Sequence, residues 1–404
     1  MLNVTDANTP GLVATNALVF GGGAFVYGTG ASQDISGLID AANSTEAVRI
    51  DTNGNDISWA SYSQELGNAA LVKQGGGSLD ISVTAAAQDT TTYTGAISVT
   101  EGQLTYNITL PAGSQATRVW SGALSIAQGA ALQFNEARAV NRTTVLTLSG
   151  AISGAGDLIL GDKEAPTNPG GGRYQVSGSN TGFTGTFKLV GNGTNADWNE
   201  VGFSNAQAVG GASLELDGRG FFVGGGDPVG ADIHVTAAGG WINGNSNQTL
   251  TLSGALTGEA GANLGLPAGA NPTLTVVFTG DLTGYEGTLH SGQGAGVLAF
   301  GAGTAATTLA SGEFIQAASL GGRAPSGQLQ RHGQGPALCG RHHRHGQTRR
   351  PGQRQAGADG SQHQHGRHEH RPELDRPAGR RQRGQRRLGR NHQRSGQPGG
   401  QHHG

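Results

Sequence analysis

Apolar and polar residues alternate with a period of two along most of the chain, and no stretch sustains the i, i+3, i+4 spacing of a helix. In SLDISV, Leu79, Ile81 and Val83 fall on one face and Ser78, Asp80 and Ser82 on the other. LTYNITL repeats the pattern with Leu104, Tyr106, Ile108 and Leu110, and SLELDG (213–218) and DIHV (232–235) follow it. These runs predict short strands, each ended by Gly, Asn, Asp or Ser, the residues that turns demand. Helix content is expected to be very low.

The strands also resemble one another. TVLTLSGAISGAGDLIL (144–160) matches QTLTLSGALTGEAGANLGL (248–266), and each is followed by an aromatic-x-Gly step, FTGTFKL from Phe183 and YEGTLHS from Tyr285. An earlier unit pairs ALVKQGGGSLDIS (70–82) with YTGAISVTEGQL from Tyr93. The aromatic steps start at 93, 183 and 285, so the long units are uneven in length. Repeats too small to bury a face alone imply stacking into a solenoid. The expected architecture is all-β, a right-handed parallel β-helix of roughly 20–25 residues per turn, with a rise of about 4.8 Å and a length on the order of 65 Å. Residues 1–320 would form it, with repeat-like units near 57–110, 144–193 and 248–300. A pair of β-sandwiches is the rival, although its turns should be more evenly spaced.

The residues that repeat resemble the autotransporter-associated β-strand repeat. Leu71, Lys73, Gly75, Gly77, Leu79 and Ile81, then Tyr93, Gly95, Val99, Gly102 and Leu104, match its two-part pattern. Asn180, Phe183, Gly185, Thr186 and Leu189 match the second part again, as do Tyr285, Gly287, Thr288 and Leu289. Ala96 stands where the pattern has Gly, TTT replaces the Asn before Tyr93, and GDKEAPTNPGGGRY is an insertion. The resemblance covers about two-thirds of residues 1–320. It implies a β-helical passenger region of a large exported bacterial surface protein, a scaffold without catalytic residues of its own.

Charge divides the chain. From Gly321 onward there are 17 Arg, no Lys and 4 acids, a net +13, while the preceding residues carry 9 bases and 24 acids, a net −15. The only Cys, Cys339, lies in the basic part, so no disulfide staples the acidic one. The N-terminus lacks the charged-then-apolar order of a signal peptide, and no segment is apolar for long enough to span a bilayer.

Residues 321–404 contain 11 of the 13 His and no Val, Ile, Phe, Tyr or Trp, a composition expected to remain disordered. His342, His343, His345, His363 and His365 could ligate metal adventitiously, and the Arg could neutralise phosphates. A third reading accounts for more. Written in GC-rich codons, RHHRHG slips by one base into Ala-Thr-Thr-Ala-Thr, and TAATT occurs at Thr304–Thr308. The segment therefore reads as an out-of-frame translation of more solenoid, with the slip near Ser311–Pro325.

Candidate chemistry in residues 1–320 is sparse. GGGSLD (75–80) approaches a calcium-binding nonapeptide, but Ser78 replaces a Gly and the motif has no tandem copy, so a glycine turn is expected. FVGGGDPVGAD (222–232) and SGAGD (153–157) lead into no helix that could cradle a phosphate. Asp51, Asp56 and Glu65, or Asp197 and Glu200, could pair for acid–base work, but solvated turn carboxylates are the expectation. His234 and His290 should point outward from their strands. Trp59, Trp120, Trp198 and Trp241 could stack on sugars if aligned outside; core packing is expected instead.

No catalytic residue, cofactor or structural metal is assigned. The expected role is structural or adhesive at a bacterial surface, with surface glycans or a host or neighbouring cell as partner and no specific nucleic acid. A β-helical polysaccharide lyase or hydrolase is the alternative, and a basic tail that binds nucleic acid or metal is a second.

Overall fold

The computed structural model of the chain describes residues 2–4, 17–60, 68–84, 86, 89–109, 117–137, 145–163, 173–193, 200–266, 274–290, 296–301, 313–315 and 330–332. Two compact units divide it, 1–342 and 343–404, and every described residue belongs to the first.

Alternation becomes a parallel β-solenoid of about nine turns. A first face of seven strands runs from Leu2–Val4 to Ile152–Gly154, a second of nine from Ile57–Trp59 to Leu256–Gly258, and a third of ten from Thr92–Tyr93 to Glu313–Ile315. All pairs between these strands are parallel, which excludes the sandwich. Along the second face Ile57, Leu79, Leu104, Leu132, Leu158, Phe187, Leu214, Ile233 and Leu256 are in register. A turn therefore spans from 19 residues (Leu214 to Ile233) to 29 (Leu158 to Phe187), wider limits than the sequence suggested.

The inward positions are those the alternation marks: the row just given is buried throughout, and so is its neighbour Trp59, Ile81, Tyr106, Phe134, Leu160, Leu189, Leu216 and Val235. Aromatic rings add a stack inside, with Tyr93 and Trp120 5.0 Å apart at 21° and Tyr106 and Phe134 5.4 Å apart at 13°. Offset stacking of this kind adds about 0.5–1.5 kcal/mol per pair beyond the area buried.

Corners are made by a column of Ser/Thr-Gly pairs between the third and first faces. Gly95, Gly122, Gly150 and Gly178 recur every 27 or 28 residues. A Cβ on Gly122 would overlap the carbonyl of Gly95, one on Gly150 that of Gly122, and one on Gly178 that of Gly150. Each turn thus rests on the backbone of the one before. The residue ahead of each glycine continues the ladder: Ser121 N–H donates to Tyr93 O, Ser149 to Trp120 O and Ser177 to Leu148 O, at 2.8–2.9 Å.

The first face is interrupted once. Where its next strand would lie, Phe183 makes only an isolated bridge to Gly154, and the following turn has the short helix α1 (Ala206–Val209), capped by Asn205. Asn180, fully buried, joins the two layers by accepting from Ile152 N at 2.9 Å and donating to Ala208 O at 2.7 Å. A four-stranded sheet, Thr249–Leu252, Thr275–Phe278, Val297–Gly301 and Gln330–His332, then takes that place in the order of the chain. Its last strand lies beyond residue 320. Among the described residues, no helix is long and apolar enough to cross a membrane.

Candidate functional site

Every second residue of the second face points outward, so one side chain per turn enters each outer row. The central row reads Asp80, Thr105, Gln133, Ile159, Lys188, Glu215, His234 and Thr257. Rows of this kind repeat at the strand spacing of about 4.8 Å.

The row changes character along its length. Near its start, amides tie it to the neighbouring outer row: Gln103 Nε2 donates to Gln133 Oε1 at 3.0 Å, and Gln133 Nε2 to Gly161 O at 2.9 Å. Beside it, Asn135 Nδ2 donates to Asn107 Oδ1 at 3.1 Å and to Asp162 Oδ2 at 2.8 Å. The second part is charged. Lys188 Nζ sits 2.9 Å from Asp157 Oδ2, and Lys163 Nζ 2.7 Å from Asp217 Oδ2, whose other oxygen accepts from Thr236 Oγ1 at 2.8 Å. His234 Nδ1 lies 3.0 Å from Thr257 Oγ1. Partial burial pulls the Lys188 ammonium down, but the hydrogen bond and charge of Asp157, with Glu215 and Asp217 nearby, outweigh it and hold the group above its ordinary range. Asp217 does the same for Lys163. Both cations stay charged, and the surface offers them with carboxylates and amides to a polar ligand.

The repeat residues have structural posts. Leu71, Leu79 and Ile81 point into the core, while Gly75 and Gly77 turn the corner between the first and second faces at φ 70° and 76°. Lys73 is fully buried there and donates to Gln74 O (3.1 Å), Gly75 O (2.7 Å) and Glu101 O (3.1 Å). Burial pulls its pKa down to about 8, against the upward pull of Asp51, Glu101 and Asp56. The GGGSLD turn is therefore filled by an ammonium group of the chain itself. Tyr93, Phe183 and Tyr285 are buried, and Gly185 and Gly287 admit the carbonyls of Gly156 and Ala262 from the turn below. Gly95 O accepts from Trp120 Nε1 at 3.0 Å.

The carboxylate candidates separate. Asp51 Oδ1 accepts from Asn53 N and Asp56 Oδ1 from Ser78 N, so both serve turns as expected. Glu200 corrects the expectation of a solvated turn: it is 1% exposed on the third face, 3.6 Å from Arg173 and bonded to Asn243. It lies in a strand whose four residues are all buried, which alternation alone does not reveal. Glu65, Asp197 and Trp198 lie outside the described residues, as do His342, His343, His345, His363 and His365. His234 and His290 do flank buried residues and point outward, but from different faces, the second and the third. His290 bonds Asn263, and burial lowers its pKa. Trp59, Trp120 and Trp241 are buried, so they form no sugar-stacking platform.

No family model, curated protein or solved structure matches the chain. Among the described residues, no group of three or more His, Cys, Asp or Glu is placed to hold a metal ion. Sequence reading missed the grouping of Asp157, Lys188, Glu215 and His234, because successive members are 19 to 31 positions apart.

Proposed function

We propose that the solenoid is a non-catalytic scaffold of a large exported bacterial surface protein, of the autotransporter-passenger type, and that it adheres to polar polymers such as surface glycans through the outer rows of its second face. The observation that carries this reading is the run of Gln103, Gln133, Asp157, Lys188, Glu215 and His234 over two adjacent outer rows, which offers a polar group on each of these turns of a glycine-cornered frame. A polymer of regularly spaced hydroxyls or carboxylates meets such a row at several points, and weak contacts add through multivalency. The repeat residues support the scaffold reading through their roles in corner and core.

Retention on immobilised polysaccharides tests the reading. The chain is expected to be retained by at least one acidic or neutral polysaccharide and to release no reducing ends or unsaturated products from it. Lys188→Glu should weaken retention by about 1 kcal/mol, as loss of a partly exposed charge contact does. Unchanged retention in that variant would remove the second face from the proposal.

A lyase or hydrolase is the second reading, favoured by Lys188 lying between Asp157 and Glu215 with His234 next in the row. Product release in the same assay, lost in Lys188→Glu, would establish it instead.

A further inference from the structure

Asn-Gly occurs three times in the chain, at Asn53–Gly54, Asn192–Gly193 and Asn243–Gly244. In such a pair no side chain shields the glycine nitrogen, which can attack Cγ of the asparagine. The solenoid treats the three pairs differently. Gly54 N–H donates to Gly76 O at 3.0 Å and Gly193 N–H to Gly218 O at 2.9 Å, so both nitrogens are tied into the next turn. Gly244 N–H donates instead to Oδ1 of Asn243 itself, at 2.9 Å.

The other end of the Asn243 amide explains this. Its Nδ2 donates to Glu200 Oε2 at 3.0 Å. A carboxylate only accepts, so the amide nitrogen faces Glu200 and the amide oxygen faces Gly244. Glu200 is itself fixed: it is 1% exposed, and Arg173 holds its other oxygen at 3.6 Å. With the glycine nitrogen hydrogen-bonded to Oδ1, the carbon that bears this oxygen is the electrophile next to the nucleophile, and the pair is held together before reaction.

We propose that Asn243–Gly244 is a site of spontaneous deamidation built into the third face, with Glu200 as its positioning residue. Gly244 N bonds to Asn243 Cγ, the Cγ–Nδ2 bond breaks, and the displaced nitrogen leaves as ammonia with the proton given up by Gly244 N, by way of solvent. Water then opens the succinimide at either carbonyl and leaves aspartate or isoaspartate. Either product sets a second carboxylate against Glu200 where an amide had donated to it, and like charges at that distance repel. Isoaspartate also lengthens the backbone at the end of Gly240–Asn243, whose Asn243 is in register with Phe222. The modification would loosen the third face as the protein ages.

Peptide mapping of the full chain, aged in mildly alkaline buffer, would follow isoaspartate and the amide-to-acid mass change at the three pairs. The same chain unfolded in urea supplies each pair's intrinsic rate. Asn53 and Asn192 are expected to react at least about tenfold more slowly in the native chain than in urea, and Asn243 no more slowly than in urea. Glu200→Ala, checked for folding by circular dichroism, should bring Asn243 down towards the other two. A native Asn243 slowed as much as Asn53 and Asn192, or an unchanged rate in folded Glu200→Ala, would overturn the proposal. If that variant does not fold, the comparison of native and unfolded wild-type chain still decides.

Discussion

Lys73 shows how a single side chain closes a corner. Its ammonium donates to three carbonyls that the turn aims inward, so Lys73→Met removes a donor from Gln74 O, Gly75 O and Glu101 O, and Thr52 still donates to the first two. Loss of about 1–3 kcal/mol is expected in urea unfolding. The same residue shapes the pH dependence. Folded Lys73 releases its proton near pH 8 and unfolded Lys73 near 10.5, so between these values the unfolded chain binds more protons and stability rises with pH. Tyrosine acts in the opposite sense above pH 10. Burial raises Tyr27 to about 12 and also raises Tyr93 and Tyr285, so the folded chain keeps protons that the unfolded chain loses, and stability falls. Urea midpoints should therefore climb from pH 8 to about 10 and then decline. Lys73→Met should flatten the climb and leave the decline.

At the scale of the element, the corner column decides how closely turns stack. Gly150→Ala would drive a methyl group into the carbonyl of Gly122, a backbone obstacle that no rotamer change relieves. It is expected to cost about 1–3 kcal/mol or more. Gly76→Ala is the control: the nearest atom to its Cβ would be Gly54 Cα at 3.9 Å, so its effect should stay within about 0.5 kcal/mol. Thermal melts of the two variants would separate a close approach from an ordinary surface glycine. The aromatic-x-Gly step is likewise a corner device rather than the mark of one face. Tyr93 ends a third-face strand, Phe183 bridges Gly154 at the end of the first face, and Tyr285 bridges Gly258 at the end of the second. The step moves round the solenoid by one face each time it recurs, which is why its spacing looked uneven.

For the whole molecule, a solenoid is stabilised turn against turn, and the chain divides into two compact units at residue 342. Removal of residues 343–404 should leave the melting of unit 1–342 unchanged. It should also abolish retention on nickel resin and on heparin, since most of the His and Arg go with it. A lower melting temperature after truncation would mean that the basic segment is part of the folded unit.

What the sequence determined by itself was the local physics. The two-residue alternation set which side chains face inward, Gly and Asn marked the corners, and both follow from backbone geometry that neighbours in the chain control. It also placed Lys73, Gly75 and Leu79 in one repeat, although not the carbonyl cage that gives Lys73 its purpose. Tertiary structure decided what meets across turns. Stacking at intervals of 19 to 29 residues put Lys188 beside Asp157 and buried Glu200, and it aimed the Gly244 nitrogen at Asn243 while it tied those of Gly54 and Gly193 away. Those outcomes depend on register, which is a sum over the lengths of every intervening turn, and no single stretch of sequence carries that sum.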